Sequence, residues 1–302
     1  TSLTINAATT IGGEDGILAE DRRTGDQSSS TTRSPGGPWH DIQAKNYGTG
    51  ALSITTTGET KGNSRFGDGI YARNSSKGTS LTINAATTTG GRNGIEARNK
   101  GKGALSITTT GKATGTDGVG IRAIDYGTGL TIVTGKFDVE GNLIKSVDTE
   151  GTAGISAFNY GTGALSITTT GTTTGTYGDG IYAKNYGTGA LSITTTGITK
   201  SDEYNGIEAI NSSKWDPAGT DLKINATETE GAEIGIKAIN YGTGALSITT
   251  SGKTTGTGGD KIVASGIDAS IDNADSTGNL MINAAETEGG VYGIKAINYG
   301  KG

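Results

Sequence analysis

Gly180-Ile181-Tyr182-Ala183-Lys184-Asn185-Tyr186-Gly187, continued by Thr188-Gly189-Ala190-Leu191-Ser192-Ile193-Thr194-Thr195-Thr196-Gly197, decides the fold. Ile181 and Ala183 fall on one side of an extended chain and Tyr182 and Lys184 on the other, the period-two pattern of a strand with one buried face. Leu191 and Ile193 repeat that pattern in a second strand. Gly187 and Gly189 between the strands, and Gly197 after them, can turn the chain where a side chain would be strained. A third, short strand is expected in the threonine-rich stretch before the next Gly-Ile.

The same phrase recurs along the whole chain, with its isoleucine at Ile17, Ile42, Ile70, Ile95, Ile121, Ile155, Ile181, Ile207, Ile236, Ile267 and Ile294. The steps run from 25 to 34 residues and most are near 26. No such unit can bury its own apolar face, but parallel stacking at ~4.8 Å sets isoleucine on isoleucine and leucine on leucine. The expected fold is therefore all-β: a right-handed parallel β-helix of about 11 coils, one repeat of about 26 residues per coil. It should form a single solenoid over residues 1–302, roughly 50 Å long at that spacing. Four stretches depart from the repeat and are expected as loop insertions: 20–38, 136–150, 212–220 and 255–264.

Three columns accompany the core. Asn46, Asn74, Asn99, Asn159, Asn185, Asn211, Asn240 and Asn298 share one offset, with Asp125 in their place once. Alternation carries them inward at a turn, where stacked amides can bond coil to coil. Tyr47, Tyr126, Tyr160, Tyr186, Tyr241 and Tyr299 follow directly as a partial aromatic ladder. Three residues after the repeat isoleucine stand Lys45, Arg73 and Arg98, then Ile124, Phe158, Lys184, Ile210, Ile239 and Ile297. These point outward, so the apolar part reads as an exposed stripe and a candidate partner surface. The leucine strands alternate between Leu-Thr-Ile-Asn-Ala-Ala and Ala-Leu-Ser-Ile-Thr-Thr-Thr-Gly, the mark of a duplicated two-coil unit.

The formal net charge of −5 is unevenly spread. Residues 61–122 carry ten basic and three acidic side chains, whereas 123–302 carry eleven and twenty. In a solenoid, sequence segments become bands along the rod, so a basic band between acidic ones is expected. Lys45, Arg73, Arg98, Lys100, Lys102 and Arg122 are its candidate partner-binding residues.

The sequence offers little for catalysis. With no cysteine and one histidine, His40, it can build neither a thiolate site nor a multi-histidine metal site, and no cofactor is implied. Gly252-Lys253-Thr254 lacks the first glycine of a phosphate loop, since position 247 is Ser247. Some β-helices degrade polysaccharides with clustered carboxylates. Here Asp148/Glu150, Glu228/Glu230 and Glu286/Glu288 share one place in the coil but lie two or more coils apart. No run approaches the ~20 apolar residues of a membrane span, Thr1-Ser2-Leu3 is no signal peptide, and no feature calls for nucleic acid.

Asn-Tyr-Gly-Thr-Gly-Ala-Leu-Ser-Ile-Thr-Thr-Thr-Gly at 185–197, nearly identical at 46–58, 159–171 and 240–252, resembles the passenger domains of bacterial autotransporters. The similarity is greatest to the proangiogenic Bartonella type, and it extends over essentially the whole chain. It implies a secreted or surface-displayed β-helix that acts on endothelial cells as an extracellular ligand of a vascular endothelial growth factor receptor. The alternatives are an adhesin for host matrix or a heparan-sulfate-like sulfated glycan and, more remotely, a polysaccharide-degrading enzyme. Absence of cysteine suits export across an outer membrane in unfolded form, since a disulfide would lock a loop too wide to thread. The chain opens and closes within a repeat, as expected of a passenger piece separated from its C-terminal membrane barrel. The resemblance transfers no functional residue.

Overall fold

The computed structural model describes residues 2–12, 16–22, 40–258 and 264–302. The chain is a parallel β-helix. One sheet is built of eleven isoleucine strands, from Ile17–Asp21 to Tyr292–Asn298, every neighbouring pair parallel and in register. Ile181 lies between Ile155 and Ile207, and Ala183 between Ala157 and Ala209. The other sheet holds the leucine strands and the short threonine strands, such as Leu165–Thr169 and Thr173–Gly175. From Leu191–Ser201 onward these two fuse into single strands of ten or eleven residues.

Burial follows the alternation. The inward Ile, Ala, Leu and Ile of each interior coil are essentially inaccessible, with Ile181, Ala183, Leu191 and Ile193 all at 0%. Each large side chain so buried contributes about 1.5–3 kcal/mol, and only stacking makes that burial possible. Glycine before the isoleucine lets successive backbones approach: a Cβ on Gly94 would lie 2.6 Å from the Gly120 carbonyl oxygen.

The turn count needs correction, because ten leucine strands accompany the eleven isoleucine strands, giving about ten turns. Leu3–Ala7 pairs directly with Leu52–Thr56, yet both Ile17–Asp21 and Ile42–Asn46 lie between them in the chain. Ile17–Asp21 is thus an extra end rung of the isoleucine sheet, with no leucine strand between it and Ile42–Asn46 among the described residues. Of the expected 20–38 insertion, Glu20 and Asp21 belong to that strand, and 23–39 lie outside the described residues. Within 136–150, Lys136–Phe137 and Leu143–Lys145 form a small antiparallel hairpin, whereas Val147 is buried and Thr149–Gly151 is a regular threonine strand. Residues 212–220 form a loop in which Ser212 adopts φ 67° and its Oγ accepts from the Gly219 amide. Of 255–264, Thr255 and Gly256 complete the strand Leu246–Gly256, and 259–263 lie outside the described residues.

The asparagine column forms a hydrogen-bonded ladder. Asn46 Nδ2 donates to Asn74 Oδ1 at 2.9 Å, Asn74 to Asn99 at 2.9 Å and Asn99 to Asp125 at 2.8 Å. It resumes from Asn159 to Asn185 at 2.7 Å, then to Asn211 at 2.9 Å and Asn240 at 3.0 Å. An ionised Asp125 can accept but not donate, which accounts for the gap. The turn after Asp125 is one residue shorter than those after Asn46, Asn99, Asn159, Asn185 and Asn240, and the amides of Gly127 and Gly129 both donate to Asp125 Oδ2. Asp125 is not the sole substitution, since Asp21 and Ile271 also occupy the column.

Candidate interaction surface

Outward side chains of the isoleucine sheet form three parallel rows, because positions one, three and five after each repeat isoleucine share a face. Register sets Lys45, Arg73 and Arg98 on adjacent strands in the middle row, as expected, at the ~4.8 Å strand spacing. Lys100 stands in the next row and Lys102 in the turn beyond. The Arg98 guanidinium donates to the Tyr126 hydroxyl at 3.0 Å and lies 5.4 Å from that ring's centroid.

Much of the basic band is paired. Arg122 meets Glu96 at 2.5 Å, Arg92 meets Asp68 at 2.6 Å, Arg65 meets Asp117 at 2.9 Å and Lys112 meets Glu150 at 2.5 Å. Lys45 lies 3.4 Å from Glu20, which Arg22 also binds. Burial would raise the Glu20 carboxyl, but these two cations hold it below its ordinary range. Among the described residues, Arg73, Arg98, Lys100 and Lys102 have no carboxylate within ion-pair distance. Of the six candidates these four therefore carry uncompensated charge, and Arg122 is the most fully neutralised.

The apolar stripe is less exposed than its outward direction implies. Ile124 is buried and Phe158, Ile210 and Ile239 are half-buried, because the flanking rows cover them. One of these rows is aromatic: Tyr126 stacks on Tyr160 at 5.1 Å, and Tyr160 on Tyr186 at 5.0 Å. The rings occupy each other's faces, so the ladder presents edges and hydroxyls outward.

The composition pointed to no site at the N-terminal edge of this face, yet His40, Gln43, Lys45, Phe66, Tyr71 and Arg92 line a depression of about 470 Å³ there. His40 stacks on Tyr71 at 4.7 Å, and its Nδ1 accepts from the Asp68 amide at 3.1 Å. Arg92 donates through Nε and Nη2 to the fully buried Asp68, at 2.9 and 2.6 Å. Burial pushes the Asp68 carboxyl up, but the adjoining His40 and Arg92 outweigh it and hold the carboxyl low.

The carboxylate pairs considered for catalysis lie apart. Glu228 and Glu230 are on Leu222–Gly231 and Glu286 and Glu288 on Leu280–Gly289, with Leu246–Gly256 between, whose Lys253 pairs with both Glu286 and Glu288. Among the described residues no three acidic or histidine side chains converge as metal ligands, and no helix could cross a membrane. No protein family, curated protein or solved structure matches the chain. What fold and surface define is a parallel β-helical repeat protein with a short cationic row on the outer face of its isoleucine sheet.

Proposed function

We propose that the chain is a secreted or surface-displayed binding rod that acts on host cells as an extracellular ligand, by contact and without catalysis. The observation that supports this reading is the row Lys45, Arg73 and Arg98 with Lys100 and Lys102, four of the five without a carboxylate partner among the described residues. Like charges at such spacing repel modestly in water, and a rigid sheet cannot relax them apart. An acidic receptor face would relieve that repulsion and gain steering from it. The passenger resemblance makes a vascular endothelial growth factor receptor the first partner to try.

The regular spacing of the row also suits a linear sulfated glycan of host matrix, the adhesin reading. Capture of receptor ectodomains from endothelial cells, with receptor phosphorylation on adding soluble rod, tests the first reading. Adhesion through heparin-like glycan without phosphorylation would replace it with the second.

A further inference from the structure

We propose that the depression between His40 and Arg92 binds an anionic sugar, a pyranose ring bearing a carboxylate or a sulfate. This inference goes beyond the receptor reading and stands without it. At about 470 Å³ the depression is open to solvent and has room for one small ligand. Gln43 and Tyr71 are register partners on neighbouring strands and line it with an amide and an aromatic ring. The stacked His40 fixes the Tyr71 ring, and the Lys45 ammonium stands 6.0 Å from the ring centroid. Arg92 is held rigid by Asp68 through Nε and Nη2, which leaves Nη1 to meet a ligand. Phe66, 60% exposed, supplies an apolar wall at the rim. Lys45 and Arg92, the two cations that line the depression, are paired with Glu20 and Asp68, so each meets a ligand through its remaining N–H donors, while Glu96 is matched by Arg122. An apolar wall, an amide and preplaced cations together fit a ring with a C–H face and an anionic substituent.

The protein contains its own comparison. Gly67-Asp68-Gly69-Ile70-Tyr71-Ala72 returns as Gly178-Asp179-Gly180-Ile181-Tyr182-Ala183 four coils later, and Asn93-Gly94-Ile95-Glu96 as Asn205-Gly206-Ile207-Glu208. In that second frame the six lining positions read Ala153, Ser156, Phe158, Tyr177, Tyr182 and Tyr204. Both cations and the imidazole are gone, and Phe158, in the place of Lys45, packs edge-on against Tyr182 at 5.5 Å. The cationic depression is therefore a local departure from a duplicated frame, not a by-product of it.

The test is titration of the whole chain with methyl β-glucuronide, N-acetylglucosamine 6-sulfate and methyl β-glucoside, followed by ligand-observed NMR. At least one anionic sugar should bind, and the neutral glucoside at least about tenfold more weakly. Binding of the glucuronide alone assigns a carboxylate, and of the sulfate alone a sulfated sugar. Lys45→Phe installs the residue found at position 158 and should lower affinity about tenfold or more. Phe66→Ala, at an exposed position, should also weaken binding and carries the test if Lys45→Phe does not fold. Equal binding of the neutral sugar, no binding of either anionic sugar, or unchanged affinity in a folded Lys45→Phe or Phe66→Ala variant would overturn the proposal. Arg98→Glu with Lys100→Glu lies off the depression, so receptor loss there with sugar binding retained separates this proposal from the receptor reading.

Discussion

Asp179 and Glu208 share one amide: Asn205 Nδ2 donates to Asp179 Oδ1 at 3.1 Å and to Glu208 Oε2 at 3.0 Å. Four coils earlier, Asn93 Nδ2 bridges Asp68 Oδ1 at 2.9 Å and Glu96 Oε2 at 3.2 Å in the same way. Each glutamate is further met by a cation on the next coil, Lys237 at 3.3 Å and Arg122 at 2.5 Å. The difference lies at Arg92, which clamps Asp68 and whose place is taken by Tyr204 in the second frame. Identical backbones thus hold one aspartate with an arginine and one without.

The consequence is a pH dependence of known sign. Burial, with the charge of Glu208, pushes the Asp179 carboxyl up from 3.8 to about 6. A carboxyl raised by folding penalises the folded state above its folded pKa, and the penalty fades as pH falls from about 6 toward 3.8. That interval corresponds to a penalty of at most ~3 kcal/mol. Asp179→Asn should therefore raise the melting temperature at pH 7.5 and leave it nearly unchanged near pH 4. The Asp68 carboxyl is held low, so its stabilisation is lost only as pH falls below the ordinary aspartate range and does not disturb this window. Thermal melts at the two pH values decide it, and a variant less stable at pH 7.5 would sink the assignment.

Asn185→Leu should be costly for a different reason. Its amide links Asn159 to Asn211 and bonds the Gly187 amide away from water, and it also donates to the partly buried Gly189 carbonyl. Removal orphans several buried groups at about 1–3 kcal/mol each, partly relieved by local rearrangement. A loss of roughly 3 kcal/mol in denaturant unfolding is expected. A loss under ~0.5 kcal/mol would mean that the ladder is incidental to stability.

Threonine inside the helix makes the opposite prediction. Thr173 and Thr199 are register neighbours at 0% exposure, and neither hydroxyl has a hydrogen-bond partner. Thr173→Val keeps the shape and removes a buried polar group, so it should stabilise by about 1 kcal/mol. Destabilisation in the same unfolding assay would show that the hydroxyl is satisfied within the coil.

The inward half of the coil was legible in the sequence because burial forces it to repeat. Ile181 must match Ile155 and Ile207, and a one-residue slip would turn the whole set outward. The asparagine ladder could be read for the same reason. Its exceptions at Asp21 and Ile271 were missed because they stand beside an insertion and in a stretched coil. Outward residues obey no such rule. His40, Phe66 and Arg92 lie far apart in sequence and converge only through register and loop path. The neutralisation of Arg122 by Glu96 was also hidden, since net charge per segment does not say which side chains face each other. The returning Asp-Gly-Ile-Tyr and Asn-Gly-Ile-Glu phrases were the available signal for the four-coil frame.

The cationic row gives the last prediction. Arg73, Arg98 and Lys100 lie on two adjacent strands and the turn after them, all partly accessible and without carboxylate partners among the described residues. Reversing all three to glutamate costs no core contact, because their strands are held by Ile70, Ala72, Ile95 and Ala97, each at 0% exposure. The melting temperature should move little, as for surface substitutions in general. Binding should fall by an order of magnitude or more, because a reversed charge both loses an attraction and adds a repulsion. Wild-type affinity should weaken as salt rises from about 0.05 to 0.3 M, and the variant should lose most of that slope. Arg122→Glu, by contrast, sets a carboxylate beside Glu96, so its loss should appear in stability as well as binding. Receptor ectodomain and heparin, measured side by side at both salt concentrations, make the comparison. Unchanged affinity and no salt dependence in the triple variant would move the binding surface off this row, to the half-buried Ile210 and Ile239 or to the loops.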